Sequence, residues 1–100
     1  MATTTKALAR TAAATSSTTL YTVPSATTTV VTDIVVSNTS ASSGTFTLSL
    51  NGVVFANAVT VGGYDSTVIQ VKQPLAATQT ITGLASATTI NFHIGGVEIA

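Results

Sequence analysis

The sequence predicts an all-β protein: a single antiparallel β-sandwich of about seven strands, immunoglobulin-like or jelly-roll in topology, with an N-terminal arm. Three observations support this fold class. From residue 18 onward, apolar residues alternate with Thr and Ser at a period of two, glycine-containing turn signals separate the alternating segments, and no strong helical spacing occurs. A chain of 100 residues suits one domain, so we expect an arm over residues 1–16 and a sandwich over residues 17–100.

The first sixteen residues differ in composition from the rest, because Ala and Thr dominate and two of the three basic residues occur there. Residues 6–14 favour a short helix by composition, although without a cap or an apolar face such a helix is marginal in isolation. Two interpretations stay open: a frayed terminus, and an arm that becomes ordered against a neighbouring subunit. The second makes Lys6, Leu8 and Arg10 the candidate partner-binding residues.

The first long strand is predicted over residues 28–38. Val30, Ile34 and Val36 share one face of it, and the opposite face is also partly apolar. Such a two-sided pattern is typical of a strand that is covered on both faces, by a second sheet or by a neighbouring subunit.

A hairpin follows, and its turn has the clearest local signal in the chain. Residues 45–51 alternate strictly, and Asn51-Gly52 then favours a type I′ turn because both residues tolerate a positive φ. The return strand continues over residues 53–61, where Asn57 interrupts the apolar face and marks a bend.

Two further strands are predicted. One covers residues 64–72 and ends before Pro74, and the other lies at the C-terminus. The apolar phase slips by one residue across Gly95-Gly96, so we expect a β-bulge in the C-terminal strand there. The residues predicted to form the core share the inward phase: Val30, Ile34, Val36, Phe46, Leu48, Leu50, Phe55, Ile90, Phe92 and Ile94.

The chain carries very little charge. Only 6% of its residues are charged and the formal net charge is zero, whereas about 25% is usual for a soluble domain. Few charges protect the strand edges, and copies of the chain do not repel one another, so we expect a homo-oligomer. No basic cluster indicates a nucleic-acid partner, no apolar run is long enough to span a membrane, and the absence of cysteine excludes disulfides.

The sequence offers little material for catalysis. His93 is the only histidine, and the strand phase places it on the outward face. A hydrolase triad would have to combine it with Ser66 and with Asp65 or Asp33, but no nucleophile-elbow motif is present to position the serine. We therefore predict no enzymatic activity, no cofactor and no small-molecule substrate.

Metal and sugar binding are weaker alternatives. The carboxylates Asp33, Asp65 and Glu98 have no metal-ligand spacing, although a calcium site of Asp65 with loop carbonyls stays possible. The aromatic residues outside the predicted core are Tyr21 and Tyr64, and Tyr21 is expected to be a partly buried packing residue. The sequence Asn38-Thr39-Ser40 matches a glycosylation sequon, but no secretory signal accompanies it.

Several segments resemble a known group of proteins. Three segments are similar to segments of small tailed-bacteriophage virion proteins. They are Thr19-Leu20-Tyr21-Thr22-Val23-Pro24, Val36-Ser37-Asn38 and the C-terminal segment Ile94-Gly95-Gly96-Val97-Glu98-Ile99. The likeness covers about 80 residues, from Thr18 to the C-terminus, and its motifs are strand and turn signals without a catalytic signature.

The resemblance implies a β-sandwich structural subunit of a phage particle. The expected role is a head decoration, or cement, protein that binds the major capsid protein, commonly as a trimer, on the capsid surface after synthesis in the host cytoplasm. A tail or fibre component and a non-viral carbohydrate-binding or cell-surface module are the alternatives. If the arm carries the contact, deletion of residues 1–16 should abolish incorporation into the particle and leave the sandwich folded.

Overall fold

The computed structural model describes residues 2–100, which form eight antiparallel strands and contain no helix. Five of the eight strands alternate between less and more exposed side chains over most of their length, as the period of two predicts. The strands are β1 (Thr3–Ala12), β2 (Thr18–Thr22), β3 (Thr28–Asn38), β4 (Gly44–Leu50), β5 (Val53–Val61), β6 (Ser66–Leu75), β7 (Thr80–Ala85) and β8 (Ile90–Ile99).

The strands make two packed sheets, which confirms the predicted β-sandwich. Sheet A has the order β1-β8-β3-β6 and sheet B has the order β2-β7-β4-β5, and every pairing is antiparallel. Apart from the β4–β5 hairpin, each connection crosses from one sheet to the other. Two four-stranded sheets joined in this order have the jelly-roll topology, one of the two alternatives that the sequence left open.

The N-terminal region is part of the sandwich, and the short helix expected over residues 6–14 is wrong. Strand β1 forms an edge of sheet A and pairs with β8 from Thr3↔Ile99 to Ala12↔Asn91. The backbone ladder along β8 outweighs a helix propensity that was weak without an apolar face. Leu8 is buried in the core, so deletion of residues 1–16 would remove a core side chain and expose β8 as a new edge.

The core lies between the sheets and is centred on Phe46 and Phe92, whose rings meet edge to face with centroids 6.2 Å apart. Seven of the ten predicted core residues are buried, and Leu50 is partly buried against them. The seven are Ile34, Val36, Phe46, Leu48, Ile90, Phe92 and Ile94.

Two of the predicted core residues, Val30 and Phe55, are placed wrongly by the simple alternation. In β3 the register with β8 shifts at Thr32, so Val31 faces the core and Val30 is only half-buried. In β5 the register with β4 shifts twice, which leaves Phe55 38% exposed. One inserted residue makes every later side chain of the strand point to the opposite face of the sheet.

The predicted hairpin turn is confirmed. Asn51 and Gly52 have φ of 50° and 79°, and Leu50 pairs directly with Val53. The expected bend at Asn57 is also confirmed, since one of the two register shifts of β5 lies there and the next residue, Ala58, has φ of 49°.

Strand β6 continues further than predicted. It reaches Leu75 and includes Pro74, which an edge strand tolerates because an edge residue needs no second hydrogen-bonded neighbour. A bulge at Lys72, where φ is 50°, interrupts the pairing of β6 with β3.

The bulge predicted at Gly95-Gly96 lies instead on the two neighbouring strands. Strand β8 is continuous, while the extra residues are Leu8 in β1 and Thr32 in β3. A Cβ atom at Gly96 would lie 2.6 Å from the carbonyl oxygen of Val30 and 2.8 Å from Cδ1 of Leu8. Glycine is required because the backbone carbonyl of Val30 and the side chain of the bulged Leu8 both occupy the space that a Cβ atom would need.

Replacement of Gly96 by alanine is therefore expected to lower the free energy of unfolding by about 1–3 kcal/mol, the usual cost of overpacking a core. Gly62→Ala is the matched control, because its new Cβ would have its nearest neighbours at 3.6 Å, an ordinary contact distance. Urea unfolding of both variants tests this. Equal stabilities of the two variants would contradict the close packing of Val30 and Leu8 against Gly96.

Candidate functional site

Half of the charged side chains of this weakly charged chain, together with its one histidine, lie around one depression. The chain has three basic residues, three acidic residues and one histidine, and four of these seven line an open depression of about 690 Å³ on the outer face of sheet A. The four are Lys6, Arg10, Asp33 and His93. This concentration makes the depression the candidate binding site.

The register of sheet A brings these side chains together. Arg10 pairs with His93, and His93 pairs with Val35, so the three lie side by side in one row. In the next outward row, Gly95 lies between Ala7 and Asp33 and has no side chain to fill the space. The depression therefore exists because glycine lies between β1 and β3.

The floor of the depression is closely packed. A Cβ atom at Gly95 would lie 2.7 Å from Oδ1 of Asp33, so the carboxylate occupies the space that a side chain would need. The Thr32 hydroxyl lies 3.1 Å from Asp33 Oδ1 and 3.2 Å from the Gly95 carbonyl oxygen, within hydrogen-bond distance of both acceptors. These contacts hold the carboxylate over Gly95.

The depression offers charged hydrogen-bond donors to a partner. Arg10 is exposed and forms no ion pair with any residue in 2–100. His93 is exposed beside it, as the strand phase predicted. A guanidinium that is free to form two parallel hydrogen bonds is suited to a carboxylate or a carbonyl-rich surface of another protein.

The three predicted partner-binding residues have different environments. Lys6 and Arg10 are exposed and line the depression, whereas Leu8 is buried between them and packs in the core. A bulge in β1 between Ala7 and Ala9 turns Leu8 inward. The sequence could not show this, because the bulge depends on the pairing with β8.

The residues considered for a hydrolase triad are not connected to one another by hydrogen bonds. His93 and Asp33 share the depression, but no hydrogen bond connects either of them to Ser66 within the described chain. The Asp65 carboxylate instead accepts the backbone N–H of Ser66 at 2.8 Å. Residues 2–100 also contain no group of three or more His, Cys, Asp or Glu side chains arranged to hold a metal ion.

A hydrogen-bond network next to the depression connects the two sheets. The Tyr21 hydroxyl donates to Glu98 Oε2 and accepts from the buried hydroxyl of Thr29 at 2.9 Å. Lys6 Nζ lies 3.4 Å from the other oxygen of Glu98. Tyr21 belongs to sheet B and the other three residues to sheet A, so one phenol joins the sheets.

The network shifts two pKa values. The hydrogen bond from Tyr21 holds the pKa of Glu98 below its usual 4.5, and the partial burial of that carboxylate opposes the shift. Burial, followed by the hydrogen bond to Glu98, raises the pKa of Tyr21 above its usual 10.0. The expected partial burial of Tyr21 is confirmed, but its partner Glu98, 77 residues away, could not be inferred from the sequence.

The sequon asparagine has a structural role. Asn38 is buried, its Nδ2 donates to the carbonyl oxygen of Ser42 at 2.8 Å, and its Oδ1 accepts the backbone N–H of Ser40 at 3.0 Å. These bonds hold the loop after β3, so the side chain is not accessible in the folded protein.

No protein-family model, curated protein or solved structure matches this chain. The described residues contain no helix that is long and apolar enough to cross a membrane.

Proposed function

We propose that this chain is a structural subunit of a tailed-bacteriophage particle, a head decoration protein that binds the major capsid protein and stabilises the head. The observation that carries the proposal is a small β-sandwich that is almost uncharged and exposes several large apolar side chains, a combination suited to permanent assembly. The resemblance of its strand segments to phage virion proteins is the reason for proposing a phage particle as the assembly. The protein is then located on the capsid surface and made in the host cytoplasm.

The outer face of sheet A is the proposed contact with the capsid protein. Its rows combine small uncharged residues and valines with the four ionisable side chains of the depression. Arg10 and His93 are exposed at the depression and can donate directional hydrogen bonds to the capsid protein. Many equivalent copies multiply a modest stabilisation at each site.

Copy number in a purified particle tests the location. Quantitative mass spectrometry should find the chain in hundreds of copies per particle, as a decoration protein requires. A few copies would indicate a tail or fibre component, and absence from the particle would contradict the proposal. In that case a glycan array tests the carbohydrate-binding alternative, for which Tyr64, 77% exposed, is the available aromatic platform.

Charge reversal at the depression tests the contact surface. Each variant is added to particles that lack the protein, and its binding is measured. Arg10→Glu is expected to weaken binding tenfold or more, because loss of an arginine that is an interface hot spot costs about 2 kcal/mol or more. Lys72→Glu is the matched control, since it changes the net charge equally on an exposed strand away from the depression. Equal occupancy by the two variants would contradict the assignment of this face.

A further inference from the structure

A second surface of the molecule, on the side opposite β1, is mainly apolar and carries no charge. Here β5, an edge of sheet B, and β6, an edge of sheet A, leave an open groove of about 430 Å³ between them. We call it the β5–β6 groove. It is lined by Leu50, Val53, Phe55, Ile69, Gln70, Val71 and Gln73.

The other strand edges are protected in ways that β5 is not. Strand β1 carries Lys6 and Arg10, β6 carries Lys72 and Pro74, and β2 is only five residues long. Strand β5 has nine residues without a charge or a proline, and it exposes Val53 by 71% and its neighbour Val54 by 50%. Exposed apolar surface beside an apolar groove is typical of an interaction site.

The chemistry of the groove favours a second copy of this chain as its occupant. No charged residue lines it, so contact between two such surfaces desolvates no charge and meets no repulsion. A copy brings an equally apolar surface, and the formal net charge of zero adds no long-range repulsion.

The exposed apolar side chains of β5 supply part of the area that a stable interface needs. The exposed parts of Val53, Val54 and Phe55 amount to roughly 250 Å² per copy, about a third of the roughly 800 Å² that each partner buries in a stable interface. The rest of the groove and of the β5 edge supplies further surface.

The shape of β5 indicates that the contact is made by side chains. Its register with β4 shifts twice, between Phe46 and Leu48 and between Leu48 and Ser49, so its outer edge is irregular. An irregular edge is a poor template for a continuous ladder, which favours a closed oligomer over an open fibre.

We propose that the β5–β6 groove faces the symmetry axis of a homo-oligomer and that copies of this chain meet there through Val53 and Phe55. The inference rests on the proposed function, for which the low charge of the chain predicts a homo-oligomer. It leaves the depression that contains Lys6 and Arg10 free for the capsid protein, since the depression and the groove have no lining residue in common.

Light scattering of the full chain across a concentration series tests the proposal. The unmodified chain should reach at least twice its mass of 10.0 kDa, and three times that mass for the trimer that the resemblance implies. Val53→Lys should raise the concentration needed for association at least tenfold, and Phe55→Ala should shift it in the same direction. Val68→Lys is the matched control, because Val68 is 61% exposed but lies outside the groove. Circular dichroism establishes that each variant is folded.

The outcomes separate this inference from the proposed function. Association of Val53→Lys and Phe55→Ala at the same concentration as the unmodified chain would overturn the groove assignment and leave the self-association intact. A monomeric unmodified chain at all concentrations would also overturn it. The role in the particle is judged independently, by the copy number in purified particles.

Discussion

Phe92→Ala should lower the free energy of unfolding by about 3–5 kcal/mol, the typical loss when a fully buried aromatic side chain is truncated. Phe92 is inaccessible to solvent, and its ring packs edge to face on Phe46 with an interplanar angle of 74°. Truncation removes this contact and leaves a cavity between the sheets. Urea unfolding, followed by circular dichroism, measures the change.

Phe55→Ala is the matched control, because the alternation pattern predicted both phenylalanines to be core residues. Phe55 is 38% exposed at the rim of the β5–β6 groove, so its truncation should cost less than about 1 kcal/mol in dilute solution, where copies do not associate. Equal losses for the two variants would show that the register shifts in β5 are wrong.

Tyr21→Phe should lower the free energy of unfolding by about 1–3 kcal/mol, because it leaves a buried hydroxyl without its partner. The lost phenol accepts a hydrogen bond from Thr29 and donates one to Glu98. Tyr64→Phe is the matched control, since Tyr64 is 77% exposed and its hydroxyl makes no hydrogen bond within residues 2–100. Thermal unfolding at neutral pH compares the two variants.

The same network predicts how stability depends on pH. Because the pKa of Glu98 is lowered by folding, its contribution is present above pH 4.5 and is lost as the pH falls through the lower, folded value. Because the pKa of Tyr21 is raised, its contribution is present below pH 10.0 and is lost as the pH rises through the higher value. Tyr21→Phe should weaken both dependences, and an unchanged profile would argue against the network.

Much of the fold could be predicted from local pattern. The strict alternation of residues 45–51 and the Asn51-Gly52 turn require only neighbouring residues, and both are confirmed. The N-terminal strand could not be predicted, because Ala, Leu, Lys and Arg in residues 6–14 also favour a helix. Its conformation is decided by the ladder that β8 offers, about 90 residues away in sequence.

The candidate site was predicted only in part. Lys6 and Arg10 were recognisable as rare basic residues, and the outward face of His93 followed from the strand phase. Their convergence around Gly95 could not be foreseen, because it depends on β8 lying between β1 and β3. The inward turn of Leu8 depends on the bulge opposite Gly95.

The amino-acid sequence by itself determined a weakly charged, all-β chain with a sandwich core, because the period of two and the composition are local properties that need no partner strand. The tertiary structure alone decided the jelly-roll strand order, the inward position of Val31, the exposed position of Phe55, and the hydrogen bond between Tyr21 and Glu98. The physical reason is that bulges and strand order arise from pairing between distant segments. A single inserted residue then redirects the side chains beyond it.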